Sequence, residues 1–113
     1  TGTATFSVVG PTLLFSVDVT GISDVTAIHI HGPAAVGVGG SVIQSLCGNT
    51  ADDAPACKTG AAFTGVVAAG AATRPRISLD SLVVLMGNGN SYVNIHTAGF
   101  GGGEIRGQVS LMP

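Results

Sequence analysis

The sequence predicts a mostly β chain, an antiparallel Greek-key-like β-sandwich or barrel with one short helix, on three observations. Short runs alternate apolar and polar side chains, the period of a half-buried strand. Glycine and proline, 18 and 5 of 113 residues, stand between those runs, where turns need them. One stretch near residue 80 instead carries apolar residues at helical spacing.

Taken in order, Ala4, Phe6 and Val8 alternate with Thr5, Ser7 and Val9, and Gly10-Pro11-Thr12 makes a turn. Leu13, Phe15, Val17 and Val19 then alternate with Leu14, Ser16 and Asp18, the pattern of a hairpin partner. Gly21-Ile22-Ser23-Asp24 connects to a strand that ends in His29-Ile30-His31 and stops at Gly32-Pro33. Val42 to Leu46 and Phe63 to Ala68 read as further strands. From Ser78 to Met86, the residues Leu79, Leu82, Val83 and Met86 fall on one helical stripe. Ser78 is placed to cap that helix, Asp80 lies in its first turn, and Gly87 is expected to end it. Gly87-Asn88-Gly89-Asn90 leads into a strand over Ser91 to Thr97. The last strand, Glu104 to Leu111, turns Ile105, Val109 and Leu111 inward and Glu104, Arg106, Gln108 and Ser110 outward. Residues 1–113 read as a single domain without a repeat of fixed period.

Composition narrows the function. The chain is 9% charged and 45% hydrophobic, with a formal net charge of −2. Its four cations, Lys58, Arg74, Arg76 and Arg106, are too few and too scattered for nucleic-acid binding. No apolar run reaches the ~18–20 residues that span a bilayer. No charged start leads into an apolar segment, so the chain is expected to begin after a removed leader. Gly99-Phe100-Gly101-Gly102-Gly103 lacks the lysine and following helix of a phosphate loop, so it reads as a turn. No serine or cysteine nucleophile has a supporting motif, and no catalytic residue is assigned.

Cys47 and Cys57 flank a polar stretch of turn formers from Gly48 to Ala56. That spacing does not match the short intervals of zinc thiolate sites, so a disulfide is expected. On the chain-entropy model, closing such a loop stabilises by roughly 2.5–3 kcal/mol. An oxidising compartment follows, whether secreted, periplasmic or at the cell surface.

All three histidines sit in two of the strands. His29 and His31 share one face of their strand, opposite Ile28 and Ile30. Tyr92, Asn94 and His96 share a face of the other, opposite Val93 and Ile95. If the aliphatic residues point into a core, the three imidazoles point outward onto one wall. Imidazole is the commonest protein metal ligand, and a three-histidine set suits copper, with zinc second. The competing reading is a cluster that only hydrogen-bonds its neighbours. Glu104 is a candidate to orient a histidine by accepting its second N–H, or else to form a surface ion pair with Arg106. Asn94 and Tyr92 frame the wall. Water, Glu104, Met86 and Met112 are candidates for a fourth ligand, although Met86 fits the helix's apolar stripe better.

Three segments carry a resemblance: His29-Ile30-His31-Gly32-Pro33-Ala34, Tyr92-Val93-Asn94-Ile95-His96-Thr97, and Gly103-Glu104-Ile105-Arg106-Gly107-Gln108-Val109. In order and spacing they resemble the signature segments of the chordin-type (CHRD) domain. The resemblance implies an extracellular or periplasmic β domain, found in animal chordins, which bind growth factors, and in microbial secreted proteins. Members usually carry one more strand before the segment matching Thr1 to Val9. Its absence would leave an unpaired edge that a second copy could fill, giving a homo-oligomer or filament. His29-Ile30-His31 is more weakly similar to the His-x-His copper strand of copper–zinc superoxide dismutases, in which Arg106 would take the part of the anion-guiding arginine. Metal capture, a metal-free self-associating structural or adhesive module, and dismutase-like redox chemistry are the three functions carried forward.

Overall fold

The computed structural model describes residues 2–22, 24–48, 57, 62–68 and 78–110, with 62–68 described by backbone alone. The described elements are β1 (Gly2–Val9), β2 (Thr12–Val19), β3 (Val25–His31), β4 (Val42–Cys47), β5 (Ala62–Ala68), α1 (Leu79–Gly87), β6 (Ser91–Thr97) and β7 (Ile105–Val109). They make two antiparallel sheets, ordered β1-β2-β5 and β4-β3-β6-β7. The chain changes sheet between β2 and β3, between β4 and β5, and again on the way through α1 to β6. This is the expected mostly β sandwich.

The β1–β2 hairpin pairs Ala4 with Val17, Phe6 with Phe15 and Val8 with Leu13. Opposed residues share a face, so the alternation read in the sequence sets the register. Gly10 supplies a positive φ of 55° at the turn, and Thr12 Oγ1 donates to the Val9 carbonyl at 2.6 Å. Leu13, Phe15 and Val17 of one sheet pack on Ile28, Ile30, Val93 and Ile95 of the other. Leu79, Leu82 and Met86 of α1 join the same core. Each such burial stabilises by about 1.5–3 kcal/mol.

The helix begins where expected. Ser78 is the N-cap, its Oγ accepting from the Ser81 N–H at 3.2 Å, with Asp80 in the first turn. Its end needs correction, because Gly87 is the last helical residue and Asn88 is the C-cap. The left-handed residue is Gly89 at φ 72°. The Gly89 N–H donates to Met86 and the Asn90 N–H to Leu85, the paired bonds of a Schellman ending. Strand limits shift as well: β4 runs on to Cys47, β5 starts at Ala62 rather than Phe63, and β7 spans Ile105–Val109, shorter than the expected Glu104 to Leu111. Leu111 and Met112 lie outside the described residues.

Cys47 and Cys57 form the expected disulfide, with Cα atoms 5.0 Å apart. Most of the polar stretch between them lies outside the described residues. Away from β4, at the opposite edge of its sheet, edge strands β1 and β7 line an open groove of about 880 Å³. Its apolar walls include Ala4, Phe6, Val8, Ile105 and Val109, and Val8 is 55% exposed. β1 carries no charged residue.

Candidate metal centre

β3 and β6 lie side by side in antiparallel register, pairing Ala27 with His96, His29 with Asn94, and His31 with Tyr92. Ile28 pairs with Ile95 and Ile30 with Val93 on the other face, and all four are buried in the core. One-residue alternation thus separates an aliphatic inner face from an imidazole outer face. The His29 and His96 ring centroids are 4.9 Å apart, those of His29 and His31 5.8 Å, and those of His31 and His96 6.3 Å. One ring nitrogen from each histidine can be chosen so that all three lie within 4.8 Å of one another. The two remote segments converge as the sequence predicts.

Hydrogen bonds fix where the protons sit. His31 Nδ1 lies 2.9 Å from the Gly40 carbonyl, and His96 Nδ1 lies 2.9 Å from the Gly101 carbonyl. A carbonyl oxygen only accepts, so both Nδ1 atoms carry hydrogen, and in the neutral ring Nε2 keeps the lone pair. His29 Nδ1 is 3.2 Å from His96 Nε2, so with His96 neutral, His29 is the donor. Paired Nδ1 donation of this kind is what orients histidines that ligate through Nε2. The His31 Nε2 is buried without a hydrogen-bond partner in the structure. An unsatisfied buried acceptor costs free energy that a ligand would recover.

His31 departs from the expected outward exposure. It is only 9% exposed, because the loop from Gly32 to Ser41 folds over it and Tyr92 stacks on its ring. The two rings are nearly parallel, 4.8 Å apart with a 10° interplanar angle. Burial, chiefly, holds the His31 pKa below its ordinary value of 6.5; the Gly40 bond opposes this, and the charges of His96 and Arg106 add to it. His31 is therefore a neutral, ligand-competent imidazole at neutral pH.

The surrounding residues are arranged differently from expectation. Glu104 does not orient a histidine; its Oε1 accepts from Thr97 Oγ1 at 2.8 Å. Nor does it pair with Arg106. That guanidinium lies 3.5 Å over the centre of the Tyr92 ring and donates to the Val38 carbonyl at 2.6 Å. Asn94 does frame the wall, and its Nδ2 donates to the Gly102 carbonyl at 3.4 Å. Met86 is a core residue, and Met112 lies outside the described residues. Among the named fourth-ligand side chains, then, Glu104 and Met86 are already committed elsewhere.

Two backbone carbonyls, those of Gly40 and Gly101, do the orienting that sequence reasoning gave to Glu104. No side-chain pattern announces a carbonyl, and the only cue is glycine density in the two loops. At Gly103, φ is 119° and a Cβ would collide with the Asn94 amide. Glycine there lets the second loop pass close enough to bring Gly101 and Gly102 over His96 and Asn94.

The family model of the CHRD domain matches residues 1–109. No curated protein and no solved structure matches the chain. The weaker similarity to copper–zinc superoxide dismutase is not borne out. The arginine it would need for guiding an anion is engaged on Tyr92 and Val38.

Proposed function

The chain belongs to the CHRD domain family, and we propose that this member binds one copper ion through His29, His31 and His96. The carrying observation is the convergence of three imidazoles, one of which, His31, has a buried and unpartnered Nε2. Two donors 2.0–2.1 Å from one ion at a tetrahedral angle are about 3.3 Å apart. The 3.2 Å between His29 Nδ1 and His96 Nε2 is close to that, and an ion held by this pair would displace the proton that His29 otherwise donates to His96. The full set spans up to 4.8 Å, beyond the ~4.2 Å that two donors of one ion can reach, so binding draws the rings together. Copper is favoured over zinc because an all-nitrogen set accepts both and the intrinsic affinity order puts copper(II) higher. The role is metal capture or stabilisation of an assembly, in the oxidising extracellular setting that suits the Cys47–Cys57 bridge and the family.

Untagged protein dialysed against copper(II) and against zinc(II) provides the test. The expected stoichiometry is one copper per chain, lost when all three histidines become alanine. A stoichiometry near zero, or unchanged in the triple variant, would overturn the reading.

A second reading has its own observation. Among the described residues, β1 has neither the charges nor the prolines that usually blunt an edge strand, and the apolar side chains of the β1–β7 groove stand half-exposed, with Arg106 as a cation in its lining. This favours self-association by strand addition, as a homo-oligomer or filament, with or without metal. A concentration series by analytical ultracentrifugation distinguishes a self-associating chain from one that stays monomeric.

A further inference from the structure

We infer that Tyr92 is a positioning residue: it locks His31 in the Nδ1–H tautomer and so presents Nε2 to the three-histidine cluster. The inference rests on the copper reading for its purpose but not for its test.

The geometry centres on Gly40. The Tyr92 hydroxyl accepts from the Gly40 N–H at 3.1 Å and donates to the Gly40 carbonyl at 3.3 Å. The same carbonyl accepts from His31 Nδ1 at 2.9 Å. One phenol thus fixes, through both backbone groups of Gly40, the acceptor that decides which His31 nitrogen carries hydrogen. Its ring does a second job, stacking on the His31 imidazole. β6 runs between β3 and β7, so His31 approaches Tyr92 from one neighbouring strand and Arg106 from the other. The guanidinium 3.5 Å over the ring also donates to the Val38 carbonyl, in the same loop as Gly40. Tyr92 is only 5% exposed, and a buried phenol with both hydrogen-bonding roles filled is held in one orientation.

Without the hydroxyl, Gly40 loses its side-chain anchor. The His31 Nδ1 bond then depends on a glycine-rich loop held at Val38, by Arg106, and at Ser41, by the Gly32 N–H. A neutral imidazole freed from a fixed acceptor populates both tautomers, and the Nδ1-bare form offers the wrong atom to the cluster. Replacing partners that orient metal-binding histidines typically lowers metal affinity about 10–100-fold. Only one of the three histidines is affected here, so the expected loss is at the lower end.

The experiment compares wild type, Tyr92→Phe and Arg106→Gln. Phenylalanine keeps the stacking ring, and Arg106 is exposed, so at least the second variant retains the fold. Long-range proton–nitrogen spectra of the metal-free proteins report the His31 tautomer, and copper titration reports affinity. Wild type is expected to hold His31 wholly as Nδ1–H. Tyr92→Phe should show both tautomers and a copper Kd raised about tenfold. Arg106→Gln, which loosens the same loop, should shift both readouts in the same direction by less. A His31 tautomer unchanged in both variants overturns the inference, even if affinity falls, because general loosening alone would lower affinity. A tautomer shift in a protein that binds no copper would leave the Tyr92 inference standing and remove the copper reading.

Discussion

The two sheets treat the same kind of alternation in opposite ways. In β3 and β6, central in their sheet, both faces are covered: Ile28, Ile30, Val93 and Ile95 by the core, and His31 and Tyr92 by the loop from Gly32 to Ser41. In β1, at an edge, Ala4 and Phe6 are only half-buried and Val8 is open, although each faces a buried β2 partner. Alternation therefore says which side chains share a face. It does not say whether anything covers that face; strand position in the sheet decides that. The covered polar face forms a candidate site, and the uncovered apolar face forms a candidate interface.

Truncation should expose this difference most strongly. Ile30→Ala removes a fully buried side chain and should cost about 2–5 kcal/mol of unfolding free energy. Phe6→Ala, at the half-covered edge, should cost about half as much or less, because less area leaves water on folding. Denaturant midpoints measure both, and equal losses would mean that β1 is as well packed as β3.

A smaller effect sharpens the polar side of the comparison. His31→Ala should weaken copper binding roughly 100-fold, about 2.7 kcal/mol, while leaving the monomer folded, as circular dichroism would report. Acid should act on the same residue. His31 has a folded pKa below 6.5, chiefly through burial, so the unfolded chain binds its proton more readily. Its contribution to stability is therefore present above pH 6.5 and lost as pH falls through the lowered folded value. Copper affinity should fall over the same range as protons compete for His31. Melting and titration between pH 7.5 and pH 5 follow the two effects; a copper affinity flat across that range would argue against histidine ligation.

The smallest effect belongs to the edge. Val8→Lys, at an exposed position, should change stability by no more than ~0.5 kcal/mol. It should nonetheless reduce self-association, since a charged edge resists pairing. Identical sedimentation of variant and wild type over a concentration series in which wild type associates would remove β1 from the interface.

Much of this was legible in the sequence because it depends on local rules. His29, His31 and His96 fell on one face from period-two alternation, Ser78 announced the helix start, and the cysteine spacing gave the disulfide. What stayed hidden was long-range or carried by backbone. The Gly40 and Gly101 carbonyls have no side-chain signature. The destinations of Glu104 and Arg106 depend on which groups the fold brings within reach, Thr97 for one and the Tyr92 ring for the other. The burial of His31 followed from a loop closing over it, where alternation alone predicts an outward ring. Register shifts between β3 and β4, on either side of His29 and Ile30, were equally invisible to a strict two-residue period.

The copper environment itself gives the most direct test. X-ray absorption on protein loaded with one equivalent of copper should show a first shell containing three imidazole nitrogens at about 2.0 Å, reduced to two in His31→Ala. A first shell without imidazole scattering, or one identical in wild type and His31→Ala, would contradict the account.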